Sequence, residues 1–175
     1  MATSPRTRWL ALSLLAGLAA GMACGHDHSF CDGPSCECIG VNDCDLDCEY
    51  DDCEVECGSV TNCDGECQNG CSFTCYDMTR CDASCIDDCN IDCRRTTDCD
   101  MSCGANCQIF CEDSGSCDAR VGPGSEVMCS RFGNCSVSCE GDCRVECPQG
   151  GCEVQCSEGT PTDCEGAYVC GEASC

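Results

Sequence analysis

Sulfur is the first chemistry this chain has to offer. From Cys63 the pattern C-x3-C-x3-C-x3-C-x5 runs through Cys63, Cys67, Cys71 and Cys75. It recurs at Cys81, Cys85, Cys89 and Cys93, and again at Cys99, Cys103, Cys107 and Cys111. Two sites drop out between Cys117 and Cys129, where Val121 and Ser125 stand around Gly122-Pro123-Gly124, and the pattern returns at Cys135, Cys139, Cys143 and Cys147. Thiolates so placed could ligate metal or pair as disulfides. Metal–thiolate clusters depend on closely set ligands such as C-x-C and C-x2-C. Here C-x2-C is absent and C-x-C occurs once, at Cys36 and Cys38. Disulfide formation is the better reading, and the regular run from Cys63 to Cys111 supplies its candidates.

Carboxylates are the second candidate chemistry. The residue after the first cysteine of successive units is Asp45, Asp64, Asp82, Asp100 and Asp118. If equivalent positions stack, these form one column about a strand spacing apart. Like charges so placed repel, unless a hard cation such as Ca²⁺ bridges them through oxygen. The plainer reading is a set of turn-forming aspartates that bond local backbone and keep the chain soluble. His26 and His28, with Asp27 between them, suit Cu²⁺ or Zn²⁺ by type. Two histidines do not complete a four-ligand site, and they read as a polar tether. Catalysis finds no support. There is no lysine, and no histidine within the repeats to activate a serine or cysteine nucleophile.

The elements that must position these residues follow from the spacing. A fixed period of 18 residues marks a stacked array of like units. Within a unit, Cys44-Asp45-Leu46-Asp47-Cys48, Cys71-Ser72-Phe73-Thr74-Cys75 and Cys143-Arg144-Val145-Glu146-Cys147 alternate with period two, the mark of a strand with one face buried. Gln68-Asn69-Gly70, Gly104-Ala105-Asn106 and Glu140-Gly141-Asp142 supply turn residues between strands. Eighteen residues are also five turns of α-helix, but Gly, Asp, Asn, Ser and Thr are too frequent for helix interiors. The expectation is all-β: a narrow, disulfide-stapled parallel β-solenoid with 18-residue coils. Val55, Phe73, Ile91, Ile109, Val127 and Val145 should form one buried column. Cysteines flanking one strand lie ~13 Å apart, beyond the ~7 Å a disulfide allows. Bridges must therefore cross the lumen, span a turn (Cys67 to Cys71) or join adjacent coils (Cys75 to Cys93). Spacing alone does not choose among them. The gap around Gly122-Pro123-Gly124 reads as a bulge or a boundary between two half-rods.

Composition fits this picture. Residues 1–23 carry a short basic region (Arg6, Arg8) and the apolar run Trp9–Ala23, of signal-peptide length. The remaining 152 residues hold six arginines against 32 acids, a net charge of −26. Such a polyanion is unsuited to nucleic acid, whose binding rests on basic contacts, or to anionic lipid. Only 18 of the 152 residues are Leu, Ile, Val or Phe, too few for an ordinary core. Disulfides, each contributing ~2–4 kcal/mol, would take its place and require an oxidising compartment. The domains expected are a signal peptide at 1–23, an N-terminal tether and cap at 24–43, the solenoid at 44–151 and an irregular C-terminal cap at 152–175.

Gly21-Met22-Ala23-Cys24 resembles a bacterial lipobox, with Gly21 in place of the usual large aliphatic residue, and makes Cys24 the candidate lipidation site. With blocks such as Cys135-Ser136-Val137-Ser138-Cys139 and Cys152-Glu153-Val154-Gln155-Cys156, the whole chain resembles the small cysteine-rich repeat lipoproteins of Gram-negative bacteria. That resemblance implies a lipid-anchored protein of the outer membrane or cell surface, or otherwise a secreted one. The membrane would be met only through the anchor. The function expected is a non-enzymatic structural or adhesive one toward other envelope or extracellular components, with no cofactor. The alternative is a surface module that takes up Ca²⁺ along its Asp column.

Overall fold

The computed structural model describes residues 29–31, 33–173 and 175, and these form strands and turns with no helix. The alternating segments build two parallel walls, and every coil crosses from one to the other. The first wall stacks β2 (Ser35–Ile39), β4 (Glu54–Gly58), the starts of β6 (Ser72–Cys85) and β7 (Asn90–Cys103), then β8 (Gln108–Glu112), β10 (Ser125–Ser130) and β12 (Cys143–Glu146). The second wall stacks β1 (Ser29–Phe30), β3 (Asp43–Cys48), β5 (Asn62–Cys67), the ends of β6 and β7, then β9 (Ser116–Val121), β11 (Asn134–Cys139) and β13 (Cys152–Cys156). The result is a narrow parallel β-solenoid of about seven turns, a rod ~35 Å long at ~4.8 Å per coil.

Pairing keeps the sequence period. Cys63 registers with Cys81, Cys81 with Cys99 and Cys99 with Cys117. Val55, Phe73, Ile91, Ile109, Val127 and Val145 form one continuous buried column, as their spacing predicts. Leu46, Gly65, Ala83, Met101, Ala119 and Val137 line the opposite wall. The lumen is therefore one apolar pair per coil framed by sulfur.

The gap around Gly122-Pro123-Gly124 is no boundary. Val121 pairs with Cys103 on one side and Cys139 on the other, and Ser125 pairs with Cys143. Both fill the missing cysteine sites. Val121 is fully buried, while the buried Ser125 hydroxyl accepts from Cys107 N at 3.0 Å and donates to Gly104 O at 3.2 Å. The ends also differ in detail from the expected divisions. Ser35–Ile39 is already a rung of the first wall, and Cys152–Cys156 continues the second wall, paired with Cys135–Cys139. Beyond it, β15 (Ala167–Cys170) runs antiparallel along β12, and β14 (Thr162–Asp163) along β15. This reversal ends the parallel stack of the first wall.

Fourteen disulfides join neighbouring positions among the described residues, with Cα–Cα distances of 5.3–6.6 Å. Apart from the two in the C-terminal cap they span turns within a coil. The longer turn is closed by bridges such as Cys57–Cys63, Cys75–Cys81, Cys93–Cys99 and Cys111–Cys117, and the shorter one by Cys85–Cys89 and Cys103–Cys107. Of the three classes that spacing allows, turn-spanning bridges are the one realised along the rod. Cys67 and Cys71, at the equivalent short turn, are buried thiols.

Candidate functional site

The outward face of the second wall carries the Asp column. Asp45 registers with Asp64, Asp64 with Asp82, Asp82 with Asp100 and Asp100 with Asp118. Parallel pairing without slippage brings all five together, because each follows a buried cysteine and so points outward. Two flanking columns share this face. One runs Asp43, Asn62, Arg80, Asp98, Ser116, and the other Asp47, Glu66, Ser84, Ser102, Arg120.

Neighbours neutralise this face only in part. Arg80 Nε donates to Asp82 Oδ2 at 2.8 Å, Asn62 Nδ2 to Asp43 Oδ1 at 2.6 Å, and Ser116 Oγ to Asp98 Oδ1 at 2.8 Å. The other Asp82 oxygen, Oδ1, is buried without a hydrogen-bond partner. Partial burial, then the charges of Asp82, Asp45 and Glu66, push the Asp64 carboxyl above the usual carboxylate range, against a smaller opposing effect of Arg80. Further along, Asp100, Ser102, Asp118, Arg120, Ser136 and Ser138 line a shallow open groove.

The column can offer a cation two carboxylates at a time. Rungs ~4.8 Å apart spread three of them over ~10 Å, and the converging triads of potential ligand atoms among the described residues are all cysteine sulfurs. Most of those sulfurs already form disulfides, which stack edge to edge along the rod. Cys117 and Cys129 Sγ, for example, lie 3.9 Å apart on adjacent coils.

A second charged feature lies on the longer turn. Ser59, Asp77, Arg95, Asp113 and Arg131 repeat there every 18 residues with φ of 50–54°. Arg95 grips Asp77 with Nε–Oδ1 2.6 Å and Nη2–Oδ2 3.1 Å, and Arg131 grips Asp113 with the same two distances. Glu112 joins through Arg131, and Arg94 bonds Asp92 at 2.6 Å. Two-pronged hydrogen bonding from the guanidinium draws the Asp77 and Asp113 carboxyls below their ordinary range. This ladder was not among the expected features, although an 18-residue count from Asp77 through Arg95 and Asp113 to Arg131 marks it in the sequence, apart from the cysteine columns.

Cys24, His26 and His28 lie outside the described residues. No family model matches this chain, no curated protein is detectably similar to it in sequence, and no solved structure is detectably similar to it in fold.

Proposed function

We propose that this protein is a non-enzymatic structural or adhesive rod of the cell envelope, lipid-anchored at Cys24, that presents an acidic face to other envelope or extracellular components. The observation that carries the reading is the unbroken registration of Asp45, Asp64, Asp82, Asp100 and Asp118 on a wall cross-linked at its turns. A face of this kind is a linear array of charge whose spacing is set by the strand register. The fourteen disulfides require an oxidising compartment, which agrees with export. The apolar run before Cys24 supplies the anchor in this reading, with His26 and His28 in the tether that follows. Partners would be basic or neutral surfaces, the basic ones bound less tightly as salt rises. The test is to express the full chain with its leader in a Gram-negative host, fractionate the cells and weigh the mature N-terminus. An acylated Cys24 in the outer-membrane fraction supports the reading, and an unmodified N-terminus in the medium removes the anchor from it.

A second reading is favoured by the unpartnered Asp82 Oδ1 and the raised carboxyl of Asp64. Adjacent rungs of the Asp column would share Ca²⁺ ions, each also keeping water ligands. Calorimetric titration of the oxidised chain with Ca²⁺ tests it. Heat that disappears in Asp64→Asn/Asp82→Asn supports bridging, and no heat leaves the column as a charged face alone.

A further inference from the structure

At the shorter turn, where each coil passes from the second wall to the first, sulfur closes the corner in coil after coil. The bridges are Cys31–Cys36, Cys48–Cys53, Cys85–Cys89, Cys103–Cys107 and Cys139–Cys143. Cys67 and Cys71 hold the same two places in the coil between Cys48–Cys53 and Cys85–Cys89. Cys67 registers with Cys48 and Cys85, while Cys71 stands just ahead of β6 as Cys89 stands ahead of β7. Yet both are thiols. They are buried, at 4% and 1% exposure. Cys71 Sγ also lies 3.6 Å from Gln68 O and within 4.8 Å of both sulfurs of the Cys85–Cys89 bridge. Phe73, the largest fully buried side chain, fills the lumen of this same coil.

Three observations bear on what such a pair does. The separation in sequence, four residues, is that of the closed Cys85–Cys89 and Cys103–Cys107 bridges. The strand register on either side is complete with the thiols unbridged, so the coil does not need this bond to form. The turn between them, Gln68-Asn69-Gly70, is exposed to half-exposed and ends in a glycine at φ 72°, so a reagent reaches the sulfurs by opening one short loop.

We propose that Cys67 and Cys71 are a reversible dithiol–disulfide couple, which a small-molecule disulfide closes to a fifteenth cross-link and a mild reductant reopens, without unfolding the rod. Closure proceeds by two exchanges. The thiolate of one cysteine attacks a sulfur of the oxidant, breaking its S–S bond, expelling one small thiolate and leaving a mixed disulfide. The second cysteine, as thiolate, attacks the protein sulfur of that mixed disulfide, forms the Cys67–Cys71 bond and expels the second small thiolate. Two protein thiols are oxidised by two electrons, the oxidant is reduced to two thiols, and the two protons pass to the departing thiolates. Burial, and then the neighbouring Cys71 thiol, push the Cys67 thiol above its ordinary range, so closure should be slow at neutral pH and faster as pH rises.

The test uses the full-length protein. It is first treated with a low concentration of dithiothreitol that leaves the far-ultraviolet circular dichroism unchanged. One half is then exposed to oxidised glutathione. Both halves are unfolded in guanidinium with N-ethylmaleimide and mapped by peptide mass spectrometry. The proposal expects the label on Cys67 and Cys71, and on no other cysteine from Cys31 to Cys175, before glutathione disulfide. After it, neither should be labelled and a Cys67–Cys71 linkage should appear, two hydrogens lighter than the dithiol. A second round of mild reductant should restore both labels with the spectrum still unchanged. The proposal is overturned if other cysteines open at the same reductant concentration, or if the pair opens only as the spectrum collapses. It is equally overturned if oxidation links Cys71 to Cys85 or Cys89 instead, or leaves both thiols labelled.

Discussion

Gly65 and Phe73 face one another across the lumen of a single coil, and a Cβ on residue 65 would overlap the Phe73 ring. The pairs that follow, Ala83 with Ile91, Met101 with Ile109 and Ala119 with Val127, set one residue from each wall against the other in the same way. The lumen is filled coil by coil, each pair choosing its own division of a narrow width. Gly65→Ala should therefore destabilise the rod by about 1–3 kcal/mol through overpacking. Adding Phe73→Ile should recover most of that loss. Thermal midpoints of the oxidised single and double variants check it, and a Gly65→Ala midpoint equal to that of the parent would deny the contact.

Ile91→Asp should be severely destabilising. Ile91 is fully buried between Phe73 and Ile109, and an unpaired carboxylate there costs several kcal/mol. The neighbouring Asp92 points outward, and Asp92→Ser should be mild by comparison. Its column neighbours are Thr74 and Phe110, and it is bonded to Arg94. Losing that surface pair should cost at most about 1 kcal/mol. Guanidinium unfolding of the two variants should separate them widely.

Carboxyl titrations should divide the two charged features. Asp77 and Asp113, held down by Arg95 and Arg131, bind protons less readily folded than unfolded. Their stabilisation is present above the unfolded carboxylate range, near pH 4, and is lost as pH falls through the folded values. Asp64 has the opposite sign. Its raised folded value makes the ionised form unfavourable at neutral pH, and that cost vanishes as pH falls through it. Carboxyl-carbon NMR at low salt should find Asp64 protonating first, well above Asp77 and Asp113, and the reverse order would contradict the structure.

Reduction of all the disulfides should unfold the protein. Bridged cysteines are the majority of the residues in the buried cluster, with one apolar pair per coil between them. Circular dichroism before and after excess reductant in denaturant-free buffer checks this, and a strand spectrum that survives would mean the bridges are ornamental.

Much of this architecture was legible in the primary structure because one period governs both the strand pattern and the sulfur. Cys-polar-apolar-polar-Cys fixes which side of each strand is buried, so the Val55-to-Val145 column and the Asp45-to-Asp118 column could both be counted out in advance. Disulfide pairing was not legible, since it depends on how sharply each turn closes. Three classes of bridge satisfy the spacing equally well, and only the folded turns separate them. The Asp–Arg ladder escaped notice because Arg95 and Arg131 occupy left-handed turn positions that arginine seldom takes. Val121 and Ser125 looked like a break because their cysteines were missing. The lumen accepts them because it selects for small size and a satisfied hydroxyl as readily as for sulfur.

Each 18-residue period is one coil whose turns are stapled within the coil, and a disulfide map of the native protein, digested at low pH without reduction, tests this. The map should show Cys75 linked to Cys81, Cys93 to Cys99, Cys111 to Cys117 and Cys103 to Cys107. Linkages from coil to coil, such as Cys75 to Cys93 or Cys85 to Cys103, would contradict it.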